Sequence, residues 1–407
     1  MLKGRLFRGL SAVQARFSSR QSMAEQHFDA VVVGAGIIGS STAYHLQKAG
    51  KKTLLIEQFT LGHTNGSSHG KSRITKFAHP EPEYVALASD SAAQIRELEK
   101  KRGMKMIAMS DRGGVIYGPK ERMERTAATL KKFNFPSELL TSQEALKRYP
   151  HYRYPQYGDT ALVDPNMGLI LADTWLEAFQ DEFRKAGGTV SENTKVNGYK
   201  EDDSSVFLNT CKGDFRAPKV VFALGSWINK LLPELTVKGR IEIISVCYWT
   251  PKDPADLPLV IPQNHPVHIA YEEGRSFLSM GATDVEGAVK FILHGGQEHF
   301  DTDVPLEDVH EKFVEDVRAH IAKNVPFLDT VNGPVKVERC KYTLSPDKHY
   351  VIDFLPGSMN IQVAGCMSGT GFKNSPAIGK AVAQRVMGEE PFTDLTLFSI
   401  NRFKKTD

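Results

Sequence analysis

The 407-residue chain carries a formal net charge of +3, with 41% hydrophobic and 24% charged residues. That balance supports two or three domains, or two interleaved ones, around a large buried core. It leaves no electrostatic footprint for nucleic acid, and no run of 18 apolar residues supplies a membrane-spanning helix.

The basic excess sits at the N-terminus. Residues 1–22 carry Lys3, Arg5, Arg8, Arg16 and Arg20, several serines and no acid. Leu6, Phe7 and Leu10 can share one face of a short helix, the composition of a mitochondrial transit peptide. Arg16-Phe17-Ser18-Ser19 suits a processing region. A start at Met23 would instead leave a peroxisomal or cytosolic chain. The terminal Lys405-Thr406-Asp407 is not a Ser-Lys-Leu signal.

Phe28 to Val33 is apolar and β-branched and predicts a buried parallel strand. Gly34-Ala35-Gly36 follows at once, and Ser40 to Lys48 predicts a helix with Gly50 beyond its end. Lys52 to Ile56 predicts a second strand, ended by Glu57. Gly34 allows the tight turn, Gly36 a close approach by pyrophosphate, and Gly39 close helix–strand packing. The helix start offers free N–H groups to phosphate, and Glu57 can accept from ribose hydroxyls. This unit predicts a bound dinucleotide and leaves FAD and NAD both open. The polar loop Gly62 to Ser72, which includes Ser68 and His69, suits an extended flavin.

Helices are expected over Tyr84–Arg102, Glu121–Phe133, Thr141–Arg148 and Asp173–Ala186, with Asp173 as an N-cap. Val206–Asn209 and Lys219–Leu224 predict strands, and Gly225-Ser226-Trp227 puts a second backbone turn near the cofactor. Ile241–Thr250 predicts an antiparallel strand. In Lys290-Phe291-Ile292-Leu293-His294, alternate residues share a face, so Lys290 and His294 point together. A lysine there could hold oxygen species beside a flavin. A solvent-facing strand is the plain alternative.

Cys340 and Tyr342 share a face of an extended segment, and His349–Ile352 and Asn360–Val363 predict further strands. Gly369-Thr370-Gly371-Phe372-Lys373 leads into a helix over Ser375–Met387, with Pro376 in its first turn. That second helix start could stabilise negative charge on a reduced flavin ring, and Lys373 could pair with a carboxylate. Cys211, Cys247, Cys340 and Cys366 have neither CxxC nor metal-type spacing, so no disulfide framework and no metal site are expected.

From Phe28 to Arg402 the chain resembles the monomeric sarcosine oxidases and the related pipecolate and N-methyl amino acid oxidases. The residues that carry this are Gly34 to Gly39, Asn65 to Arg73, Ala161-Leu162-Val163-Asp164, Cys340 to Thr343 with Pro346-Asp347, Gly369 to Lys373 and Ser399-Ile400-Asn401-Arg402. The resemblance implies an α/β (α+β) fold, with a Rossmann-like FAD-binding domain interleaved with a substrate domain on a large mixed or antiparallel sheet. Segments 27–110, 155–240 and 335–407 fall to the first, and 111–154 and 241–334 to the second. It implies FAD tethered at Cys340 and held by Gly34, Gly36, Gly39, Glu57, Ser68, His69, Ser72, Arg73, Gly225, Trp227, Gly369, Gly371, Phe372 and Lys373. It implies catalytic roles for Lys290 in oxygen activation, for His294, Tyr342 and Arg73 around ring and substrate, and for Lys76 and Lys373 on the substrate carboxylate. The expected enzyme is a monomer that oxidises a small secondary amino acid and reduces O2 to H2O2. A dehydrogenase that passes electrons to a carrier is the alternative. Three departures fall in the substrate pocket. Lys76 replaces the usual arginine, Thr370 replaces a histidine, and Ser276 to Thr283 lacks the family's tyrosine and Gly-Phe-Pro pattern. A lysine is a point charge and cannot make a bidentate fork.

Overall fold

The computed structural model describes residues 27–154, 160–272, 274–299, 301–303 and 311–403. The expected address at 1–22 and the C-terminal tripeptide lie outside them. Two large sheets organise the chain. The first runs in the order Val351–Phe354, Ile361–Gly365, Lys219–Phe222, Ala30–Val33, Thr53–Ile56, Thr189–Ser191. Its pairings are parallel except at the Val351–Phe354 edge. All four residues of Ala30–Val33 are buried, as a central parallel strand requires. The period of two splits them: Val31 and Val33 join a core with Leu54, Ile56 and Phe222, whereas Ala30 and Val32 meet the helices on the other face. Those helices are Ile37–Lys48, Ala172–Lys185 and Ser375–Val386.

Among the described residues the second sheet has nine strands, of which Gln297–His299 pairs with the start of Arg240–Trp249. Arg240–Trp249 pairs antiparallel with Lys336–Leu344 on one side and Val289–His294 on the other. Beyond these lie Arg275–Met280, Val267–Glu272, Gly114–Tyr117, Ala161–Asp164 and Glu138–Leu140. Ala161–Asp164 and Lys336–Leu344 therefore hydrogen-bond within the large sheet, although their segments were expected on the dinucleotide side. The reason is apolar pattern: Ala161 and Val163 complete one of its cores with Val115 and Tyr117, and Leu162 the opposite one. Smaller sheets join Ser72–Thr75, Gly168–Leu171 and Ile107–Met109, and Val196–Glu201, Val206–Thr210 and Gly213–Ala217.

Local signals explain most element ends. Gly103 closes helix Pro82–Arg102 in the left-handed conformation, and Thr141 with Glu144 forms a capping box ahead of Ser142–Arg148. Asp173 is not the cap expected. Leu171 holds that position, and the Asp173 carboxylate sits in the first turn, accepting from Thr174 N–H at 2.7 Å. The strand expected from His349 starts only at Val351. Asp347 accepts from His349 N–H at 3.1 Å and from Ser345 at 2.9 Å, which holds a turn through His349. The C-terminal Ser399-Ile400-Asn401-Arg402 stretch acts as a clasp. Arg402 grips the Asp347 carboxylate at 2.7 and 3.1 Å, and Asp353 accepts from Ser399 and from Ile400 N–H.

Candidate active site

The glycine turn leaves the central strand where no side chain fits. Gly34 has φ +101°, and a Cβ there would stand 2.4 Å from the Ala223 carbonyl oxygen. At Gly39 it would stand 1.8 Å from the Gly34 oxygen. The adjacent helix begins at Ile37, whose N–H donates to Ser68 Oγ at 3.0 Å. Glu57 accepts from Ala35 N–H at 2.8 Å and Phe59 N–H at 3.0 Å, and lies 3.5 Å from His63. Burial raises its carboxyl, but the His63 and backbone contacts win and hold it below the ordinary range. So Glu57 first fixes the turn itself.

A cleft of about 500 Å³ runs from this turn across both sheets. Gly34, Gly36, Glu57 and Ser68 line its first part, and Gly225 and Trp227 follow. His69, Arg73, Lys290, Cys340, Tyr342, Gly369, Gly371 and Phe372 line its far part. Gly39, Ser72, Lys76, His294 and Lys373 stand outside its lining. Arg73 organises the loop around it, donating to the Ser67, His69 and Ser72 carbonyls while its guanidinium lies 5.5 Å over the Phe372 ring. His69 bonds the Gly66 and Arg339 carbonyls. Trp227 donates to Asp303 at 2.7 Å.

Sheet register builds the far wall. Tyr248 stands opposite Lys290, Ile244 opposite Cys340, and Glu242 opposite Tyr342. Lys290 is buried, so its strand is not solvent-facing, while Phe291 and Leu293 pack into a core on the other face. Lys290 Nζ bonds Asp284 at 2.8 Å and both Ser72 oxygens at 3.2 Å. Burial pulls its ammonium below the usual range, and Asp284 opposes that shift. Cys340 is half-buried and lines the cleft.

A buried cationic corner adjoins this wall. Lys76 Nζ donates to Ala78 O at 2.7 Å, and Lys373 Nζ to Thr370 O at 3.0 Å. The Asp164 carboxylate fixes the chain just past Lys76 by accepting from Phe77 and Ala78 N–H, each at 3.1 Å. Burial, then the Lys76 charge, push the Lys373 ammonium well down. Tyr342 and His294 bond at 3.0 Å. Burial and the nearby lysines lower His294 to about 4, so it is neutral at physiological pH. His79 stacks on Tyr84 and feels Lys76, Lys373 and Arg122, and its Nε2 has no partner among the described residues. His79, Asp284 and Tyr248 were missed in the sequence. Tyr248 had a signal there, since it alternates correctly within a β-rich run.

The family model for FAD dependent oxidoreductase matches residues 29–385. The chain belongs to that family. This FAD-dependent oxidoreductase is 41% identical to a Caenorhabditis elegans protein provisionally named a sarcosine oxidase, over 93% of this chain and 98% of the relative. It is 32% identical to the peroxisomal sarcosine oxidase of Mus musculus, over 92% and 96%. It is 31% identical to the monomeric sarcosine oxidase of Bacillus sp. strain B-0618, again over 92% and 96%. Among solved structures, a Tyr258Phe mutant of NikD, an amino acid oxidase of nikkomycin biosynthesis, superposes with a TM-score of 0.76 at 20% identity, covering 92% of this chain and 97% of that one. The glycine oxidase of Geobacillus kaustophilus gives 0.73 at 21% identity, over 93% and 99%. These two share the fold.

The residues of the oxidoreductase fit FAD. A side chain at Gly34 would collide with backbone, the helix start at Ile37 faces the same turn, and the cleft continues far beyond what an adenosine needs. Cys340, Arg73, Lys290, Tyr342 and Phe372 line its far end.

Proposed function

We propose that this oxidoreductase oxidises a secondary amino acid, either sarcosine, another N-methyl amino acid or L-pipecolate, using FAD tethered at Cys340. Oxygen is the acceptor and hydrogen peroxide the product. The observation that carries the reading is one face of the large sheet. It aligns Lys290 and His294 with Cys340 and Tyr342 where the dinucleotide cleft ends. The relatives named sarcosine oxidases support the substrate class. They also support action as a monomer.

FAD supplies the two-electron chemistry when bound. The chain's residues bind, orient and set charge. The Gly34–Gly36 turn at the helix start would receive the pyrophosphate, and Glu57 would turn its remaining lone pairs to the ribose. Lys76 and Lys373 hold the substrate carboxylate. Their positive field disfavours a third cation, so the substrate amine binds neutral, the form that can release a hydride. Neutral His294 adds no competing charge, and its bond fixes the Tyr342 hydroxyl. Because Lys76 replaces a bidentate arginine, the carboxylate is held by two point charges and turns more freely, which suits more than one N-substituent. The N-terminal 22 residues direct the chain to mitochondria. Peroxisomal relatives and a start at Met23 make the organelle a matter for imaging both start sites.

The test is peroxide production under air across sarcosine, L-pipecolate, N-methyl amino acids and glycine. Peroxide with a secondary amine in a 1:1 ratio to substrate consumed supports the reading. Substrate turnover with an electron-accepting dye but no peroxide points to the dehydrogenase alternative.

A further inference from the structure

Lys290 is one end of a hydrogen-bonded series that reaches the surface. Its Nζ lies 2.8 Å from Asp284 Oδ2. The same Oδ2 lies 3.0 Å from the Tyr248 hydroxyl, which lies 2.7 Å from Glu338 Oε2. Burial grades outward: the Lys290 and Asp284 side chains are 4% and 6% exposed and Tyr248 is fully buried, but Glu338 is 38% exposed. Lys290 lines the same cleft as Cys340, and Glu338 meets solvent beside Lys336, 2.5 Å away.

Hydrogen counting makes this series unusual. A phenol has one hydrogen to donate. Tyr248 stands within hydrogen-bond distance of two carboxylates, so its hydrogen serves only one of them. The other contact is a hydrogen bond only when that carboxyl carries a proton. The series therefore has a vacant proton position that solvent can fill at Glu338. Asp284 presents to Lys290 the same oxygen that it presents to Tyr248, so a proton that crosses from the phenol sits on the oxygen that Lys290 Nζ contacts.

We propose that Glu338, Tyr248 and Asp284 carry protons from solvent to Lys290, which delivers the second proton of oxygen reduction. The inference rests on the reading that oxygen is the acceptor. The substrate C–H bond breaks as a hydride, and the resulting iminium releases its N–H proton to water. Oxygen takes up two electrons and two protons to become hydrogen peroxide. Both electrons and one proton arrive with the hydride. The other proton leaves Lys290 Nζ, which is refilled from Asp284 as the phenol proton moves inward and a proton on Glu338 moves to the phenol oxygen. No tyrosinate forms, because the phenol oxygen gains the Glu338 proton as it gives up its own, and Asp284 passes the proton it receives to Lys290. Asp284, Tyr248 and Glu338 touch neither substrate nor flavin; they act through Lys290.

Exchange of the Lys290 ammonium with water tests this directly in oxidised, substrate-free holoenzyme. Nitrogen-15 lysine labelling gives the signal, and Lys290→Met assigns it. Tyr248→Phe removes the middle carrier and keeps the ring. It should slow exchange by about 10²-fold, the scale of one positioned proton-transfer group. Glu338→Gln, a change near the surface that leaves the core intact, should slow it likewise, so the inference stays testable if Tyr248→Phe misfolds. Reoxidation by oxygen should slow in both variants, with reduction by substrate unchanged. Exchange as fast as wild type in either variant overturns the proposal. If exchange slows but wild-type enzyme makes no peroxide, the proton path stands and the oxygen reading fails.

Discussion

Lys290→Met exchanges an ammonium for an apolar end of similar reach and strands Asp284. In the native chain burial raises the Asp284 carboxyl, but the Lys290 charge and hydrogen bond, helped by the Ser72 and Tyr248 hydroxyls, hold it below its ordinary value. Breaking a buried pair this way costs about 3–5 kcal/mol. The Tyr248 hydroxyl remains 3.0 Å from the stranded carboxylate. That retained bond puts the expected loss near about 3 kcal/mol at pH 7. Lys290→Met/Asp284→Asn removes the stranded charge and should recover most of the loss. The pH dependence has a definite sign. In wild type the contribution of Asp284 is present above the ordinary carboxyl value of 3.8 and fades as pH falls through its depressed native value. In Lys290→Met the largest lowering cause is gone and burial, which raises the carboxyl, should prevail, so the deficit should be full at neutral pH and shrink on acidification. Urea unfolding of holoenzyme at several pH values measures both. A single variant within about 0.5 kcal/mol of wild type, or a double variant no more stable than the single, refutes the reasoning.

Acid-precipitated wild-type protein should stay yellow, and Cys340→Ser should release its colour to the supernatant; a colourless wild-type pellet refutes the tether. Lys373 has a strongly lowered ammonium value, so it loses its charge well below pH 10.5. Affinity for a carboxylate inhibitor should therefore weaken as pH rises through that lowered value, and Lys373→Met should abolish this pH dependence. An affinity that is flat across the range removes Lys373 from the carboxylate site. Gly39→Ala puts a methyl 1.8 Å from the Gly34 oxygen. Such overpacking costs about 1–3 kcal/mol or more, and the variant should lose flavin content before it loses secondary structure by circular dichroism.

The sequence carried the parts of the site that depend on local geometry. The glycine turn, the helix behind it and the alternating faces at 290–294 and 340–342 follow from spacing alone, because backbone period fixes side-chain direction. Other features needed tertiary placement. Asp284 enters from a loop and folds back onto Lys290, and no period predicts that contact. The sequence offered Glu57 as a candidate ribose acceptor, but no sign that it accepts from Ala35 and Phe59 N–H and so shapes the turn. Asp164 and Arg402 were legible only as matching residues. Their carboxylate and guanidinium contacts show why they matter, since one fixes the chain after Lys76 and the other clasps Asp347. Misplaced element ends, at Asp173 and His349, came from side chains that bonded neighbouring backbone and so moved the boundary.

Anaerobic titration of the yellow holoenzyme with sarcosine and L-pipecolate tests the central claim most directly. The account predicts that the visible flavin absorbance bleaches with about one equivalent of at least one of these secondary amino acids, and returns on admission of air as peroxide appears. An absorbance that stays unchanged with every small N-methyl and cyclic amino acid would contradict it.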